Sequence, residues 1–110
     1  MKEINAVISP NKLAALREAL RILPGFPGMT IIKVEGCSAS SLVGSARDIT
    51  GELDEYVPKV LVEIVAPDEV AAAIADCIVS AGQTGTVGDG LVWVTDIEQA
   101  LFIHQAGPDP

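Results

Sequence analysis

The apolar positions of this chain change their period several times, and each change marks an element. From Lys2 to Ile8 the pattern alternates, with Ile4, Ala6 and Ile8 on one side and Glu3, Asn5 and Val7 on the other, the period of a half-buried strand. From Leu13 the spacing lengthens. Leu13, Leu16, Leu20 and Leu23 share one side of a helix, and Lys12, Arg17, Glu18 and Arg21 are spread around the rest. Ser9 and Pro10 supply an N-cap and a first helical position. The run Pro24-Gly25-Phe26-Pro27-Gly28 ends the helix, because proline lacks the N–H that would continue it. Met29 to Gly36, with Ile31, Ile32 and Val34, reads as the second strand.

From Cys37 to Tyr56 no period survives, and Ser38, Ser40, Ser41, Gly44, Ser45 and Gly51 mix with charges and scattered apolar residues. Loops of this length in so small a domain are uncommon and usually functional. Pro58-Lys59 then introduces a third strand, Val60 to Ala66, whose near-continuous apolarity predicts cover on both faces. Pro67-Asp68-Glu69 opens a second helix, its acids suited to the positive end, with Val70, Ala73, Ile74, Cys77, Ile78 and Ala81 as its buried stripe. Gly82 stops it. Leu91 to Thr95 is the fourth strand, Asp96 to Ala100 predicts one helical turn capped by Asp96, and Phe102 to Gln105 a short final strand. Residues 106–110 read as a tail. The order strand, helix, strand, long loop, strand, helix, strand is that of an α+β, ferredoxin-like split βαβ fold. Both helices cover one sheet face. The other, with its valines, isoleucines and Trp93, predicts an oligomer packed sheet against sheet.

Composition narrows the function. At 110 residues the chain is one domain, and with 4% aromatic residues its core must come from Val, Ile, Leu and Ala. A net charge of −8 excludes nucleic acid as a partner, since phosphates demand Lys and Arg. The charge is also uneven. No Lys or Arg follows Lys59, whereas Glu63, Asp68, Glu69, Asp76, Asp89, Asp96, Glu98 and Asp109 do. An anion bound near the C-terminal half must therefore use backbone donors or basic residues from elsewhere, another subunit included. No charged leader precedes an apolar segment and no apolar run approaches ~20 residues, which predicts a cytoplasmic protein without membrane insertion. Cys37 and Cys77 then read as reduced thiols, Cys77 as a small core residue.

The stretch richest in candidate chemistry is Gln83-Thr84-Gly85-Thr86-Val87-Gly88-Asp89-Gly90. Its glycines allow tight turning and close approach of N–H groups to a ligand. A P-loop or Rossmann turn follows a strand and opens a helix. Here the loop follows a helix and opens a strand, so neither applies.

In register, these segments resemble the PII signal-transduction family of trimeric regulators of nitrogen and carbon metabolism. The resemblance rests on Ser9-Pro10-Asn11-Lys12-Leu13, Arg17-Glu18-Ala19-Leu20, Gly28-Met29-Thr30, Val34-Glu35-Gly36, Pro58-Lys59-Val60 and Glu63-Ile64-Val65, and above all on Gln83-Thr84-Gly85 with Gly88-Asp89-Gly90. It implies a homotrimer whose inter-subunit clefts bind adenine nucleotides. It also implies that residues 37–57 are the T-loop, which contacts target proteins, and residues 83–90 the B-loop, which wraps the nucleotide. Thr30, Gly36, Cys37, Ser38, Lys59, Gly85, Thr86, Val87, Gly88, Asp89 and Gly90 are the nucleotide-binding residues so implied, with no catalytic residue and no metal.

The chain departs from the family at telling places. Leu91 stands where the family has a lysine after the glycine loop, and Phe102 and His104 where two arginines grip phosphates. Ser38, Ala39 and Ser40 replace a glycine, arginine and glutamine, and Glu52 replaces a tyrosine that some members modify. A ligand with fewer phosphates than ATP, AMP or ADP, is therefore expected, and bicarbonate could sit on backbone N–H groups beside Lys59. That combination resembles a carboxysome-associated branch of the family. A classical nitrogen-status regulator and a heavy-metal-efflux branch are the alternatives, the latter resting on Cys37 and His104, which lack close ligand spacing. An enzyme is the alternative from another class. No nucleophile–base arrangement supports it, and Asp54 and Glu55 read as a solvated loop face.

Overall fold

The computed structural model describes residues 1–37 and 56–105. Four strands form one sheet: β1 (Lys2–Ile8), β2 (Thr30–Gly36), β3 (Val57–Ala66) and β4 (Gly90–Asp96). Their order is β2-β3-β1-β4, and every neighbouring pair is antiparallel. Helices α1 (Leu13–Arg21) and α2 (Asp68–Gly82) follow β1 and β3. This is the α+β, ferredoxin-like split βαβ arrangement. The segment joining β2 to β3, apart from its two ends, lies outside the described residues, as do residues 106–110.

Alternation decides which side is covered. Ile4, Ala6 and Ile8 of β1 and Val60, Val62, Ile64 and Ala66 of β3 are buried with Leu16 and Leu20 of α1 and Ala71, Ile74 and Ile78 of α2. Fully burying an aliphatic side chain contributes roughly 1.5–3 kcal/mol, so this layer dominates the stability of the subunit. Cys77 packs at its margin, and burial pushes its thiol up from the ordinary value.

Among the described residues no α-helix packs on the opposite sheet face, although Asn5 on it is buried. Register sets Val7 of β1 between Leu61 of β3 and Leu91 of β4, with Leu61 also opposite Ile32 of β2. Leu91 and Trp93 are exposed. The same face carries Glu3, Asn5 and Glu63, so it is apolar toward one end of the strands and polar toward the other.

Several local readings are corrected. The buried stripe of α2 includes Ala71, and Ala73 is exposed, because the phase is set by Ile74 and Ile78 packing on the sheet. Ser9 makes no side-chain cap bond, and a 3₁₀ turn, Pro10–Lys12, precedes α1. Pro58 and Lys59 lie inside β3 rather than ahead of it. The helical turn at 96–100 does not form. Asp96 instead closes β4 opposite Lys2, and the Ile97 N–H donates to the Met1 carbonyl at 3.1 Å, so pairing with β1 outcompetes a local turn. The final strand is likewise absent, and Ile103–Gln105 is a 3₁₀ turn.

Candidate nucleotide site

The glycine loop is built around one carboxylate. As α2 ends, the N–H groups of Thr84, Gly85 and Thr86 donate to Asp89 Oδ2 at 2.7, 2.8 and 3.3 Å. The other oxygen, Oδ1, accepts from the hydroxyls of Thr84 and Thr86, the latter at 3.1 Å. The Asp89 N–H closes the turn on the Thr86 carbonyl at 3.2 Å. This ring of donors, led by the Thr84 hydroxyl and N–H, holds the Asp89 carboxyl far below the usual carboxylate range. Asp89 thus braces the loop from within, and Val87 and Gly88 are left at its tip, Val87 being 78% exposed.

Glycine is required at both ends. Gly85 has φ 90°, and Gly90 has φ 122° with its backbone pressed on β1. A Cβ on Gly90 would stand 1.9 Å from the Val7 carbonyl oxygen. No side chain fits there.

Lys59 ties this loop to the rest of the site. Its ammonium donates to the Gly88 carbonyl at 3.0 Å and lies 3.5 Å from Ser9 Oγ. Gly36, at the end of β2, runs along the lysine stem, where an added Cβ would meet Lys59 Cγ at 3.5 Å. Cys37 follows at once and is exposed. The structure therefore brings together Gly36, Cys37, Lys59 and the loop from Gly85 to Gly90, while Ser38 lies outside the described residues. Ser9 and Thr84 join them, although the sequence had marked them only as a cap and as part of a family motif and not as nucleotide-binding residues. The Thr-x-Thr-x-x-Asp spacing was the available signal for Thr84, since hydroxyls before an acid commonly close such turns.

Thr30 is elsewhere. It begins β2, opposite Glu63, and lines a hollow of about 460 Å³ with Glu3, Gly28, Met29, Val65 and Phe102. This hollow and the glycine loop lie toward opposite ends of β1, since Glu3 borders the first and Ile8 pairs with Gly90. Five residues of strand separate those two positions by about 17 Å. Behind the glycine loop a smaller, mostly apolar hollow of about 210 Å³ lies between the end of α2 and β4, lined by Ile78, Val79, Leu91 and Val92. It offers an anion no cation. Among the described residues no three metal-ligating side chains converge, and no helix is long and apolar enough to cross a membrane.

A family sequence model described as nitrogen regulatory protein P-II matches residues 1–106. The chain belongs to the P-II family. Nitrogen regulatory protein P-II 1 of Escherichia coli K12 is 36% identical over 111 residues, covering 99% of this chain and 96% of its own. The P-II protein of Klebsiella oxytoca is 35% identical over the same span, with the same coverage. That of Haemophilus influenzae is 37% identical over 106 residues, 94% of this chain and 92% of its own. P-II proteins are signalling regulators rather than enzymes, and adenine nucleotides are their regulatory ligands. The ferredoxin-like subunit described above is the P-II fold.

Proposed function

We propose that this chain is a cytoplasmic homotrimeric regulator that binds AMP or ADP in preference to ATP in clefts between subunits. Through the T-loop, residues 37–57, it controls a transporter or enzyme in carbon or bicarbonate metabolism. The observation that carries this reading is the glycine loop, closed around Asp89 and reached by a single cation, Lys59, among the described residues. The loop's shape needs no phosphate to form it. What is missing is positive charge: Leu91 is exposed on β4 where a basic residue would face an outer phosphate. Each charge-assisted hydrogen bond is worth roughly 1.5–3 kcal/mol, so losing three basic groups weakens ATP much more than AMP.

The separation of the Thr30 hollow from the glycine loop supports a shared site. The sequence resemblance assigns both to one nucleotide, and about 17 Å of strand lies between them in one chain. Apposition of one subunit's hollow to its neighbour's loop completes the site. Bicarbonate would take the same loop tip beside Lys59. Titration calorimetry with AMP, ADP and ATP tests the reading. Tightest binding of AMP or ADP is expected, and tightest binding of ATP overturns it. Affinity capture from lysate with and without ADP then identifies the target.

A second reading, a nitrogen-status regulator, is favoured by the names of the relatives. It predicts binding of 2-oxoglutarate in the presence of Mg-ATP, which the ADP-preferring reading does not.

A further inference from the structure

The two helices carry opposite charge on the side away from the sheet. On α1, Arg17 and Arg21 are exposed together with Glu18, whose carboxylate accepts an Arg21 guanidinium N–H at 2.9 Å. On α2, Asp68, Glu69 and Asp76 are exposed, and the helix contains no Lys or Arg. The Met1 amino group holds Asp68 at 2.8 Å. Arg17, Glu69 and Asp76 form no ion pair among the described residues. Between these charges the layer is low. Ala14 and Ala15 of α1 and Ala72 and Ala73 of α2 are exposed, so another pair of helices can approach closely.

The helices pack side by side and run antiparallel, since each returns from one of two antiparallel strands. Gly25, just past α1, sits against the first turn of α2, where an added Cβ would meet Val70 Cγ2 at 3.1 Å. That contact sets Arg21 level with Glu69, and Arg17 falls toward Asp76 further along. Along the helix axes the two arginines are about 6 Å apart and the two acids about 10 Å, a mismatch that long arginine side chains absorb. A two-fold axis parallel to the helices, over the groove between them, turns α1 of one copy onto α2 of the other and keeps every residue at its level. Both arginines then face both acids, once in each half of the contact. We propose that the helical layer is a docking surface for a second copy of this chain, with Arg17 and Arg21 of each copy against Glu69 and Asp76 of the other. The layer lies across the sheet from the open face, so this contact is separate from the sheet-to-sheet packing proposed for the trimer and independent of the nucleotide reading. Helices of 9 and 15 residues, each about 10 Å wide, bury only roughly 350 Å² per copy. That is less than half of a standard interface, so the association is weak and reversible.

Sedimentation velocity on the full chain, over a concentration series at about 50 and about 500 mM salt, tests the proposal. Wild type should form a species larger than its basic oligomer at the top of the series, and the added salt should weaken that step at least about threefold. Arg17→Glu/Arg21→Glu and Glu69→Lys/Asp76→Lys should each weaken it at least about tenfold, because every favourable pair becomes a repulsive one. An equimolar mixture of the two variants should associate within about threefold of wild type, since each now meets its complement. Wild type without a larger species, or a mixture that associates no better than either variant alone, overturns the proposal. Circular dichroism and an unchanged basic oligomer at high dilution separate a lost contact from a lost fold. Should a reversal variant fail to fold, Arg17→Gln/Arg21→Gln takes its place. It should weaken self-association at least about threefold, and an unchanged association there overturns the proposal equally.

Discussion

Lys59 and Asp89 play opposite parts in the glycine loop. The Lys59 ammonium already has a carbonyl and a hydroxyl within reach, yet it keeps donor capacity for an anion at the loop tip. Lys59→Met should weaken AMP by roughly 10- to 100-fold and leave adenosine nearly unaffected, as calorimetry on both ligands would read. Asp89 has the opposite character, with its charge satisfied internally. Its folded-state carboxyl is depressed, so the order it provides is fully present above the ordinary carboxylate range and is lost only as pH falls through the lower folded value. The amide resonances of Thr84, Gly85 and Thr86 should therefore keep their native shifts from about pH 7 to about pH 3, after exposed carboxylates have begun to protonate. In Asp89→Asn those resonances should move at every pH. The glycines of this loop were legible in the sequence because few residues adopt their backbone angles. The inward turn of Asp89 was not, because the same acid at the same spacing could equally face a ligand, and only closure of the loop on both threonine hydroxyls decides between them.

At the scale of elements, the tightest constraint is the passage from loop to β4. Gly90 combines φ 122° with ψ −160°, a region open almost only to glycine, and abuts the Val7 carbonyl. Gly90→Ala should cost at least about 1–3 kcal/mol, measured by urea unfolding, because strain and a backbone clash add. Main elements were readable wherever an unbroken period ran through them, as in β1 and α1. Their edges were not. Ala71 and Ala73 carry the same apolar signal, and only the packing of Ile74 and Ile78 fixes which of them faces the sheet. Residues 96–100 have some helical character, and the start of that segment was settled by β1, whose pairing reaches Asp96 and whose Met1 carbonyl takes the Ile97 N–H. A periodicity argument sees neighbours along the chain, and this competition is with a strand more than ninety positions away.

For the whole molecule, the open sheet face is the surface on which the proposed trimer would assemble. Val7 stands between Leu61 and Leu91, giving that end of the face an apolar ridge across three strands. Under the proposed trimer, Val7→Asp should yield a folded monomer by sedimentation, because an unpaired carboxylate buried between sheets costs several kcal/mol. A trimer of unchanged stability would show that another surface holds the subunits together. The polar end of the same face, with Glu3 and Glu63, forms part of the Thr30 hollow, so the proposed assembly and ligand surfaces would divide one sheet between them.

The distance between that hollow and the glycine loop has a genetic consequence. In the shared site proposed above, Lys59→Met would damage one half and Phe102→Leu the other. Two such defective chains, co-expressed in equal amounts, should complement each other in part. In a randomly mixed ring, about a quarter of the interfaces pair an undamaged loop from one parent with an undamaged hollow from the other. Nucleotide binding should reappear there at full affinity and reduced stoichiometry, although neither parent binds well alone.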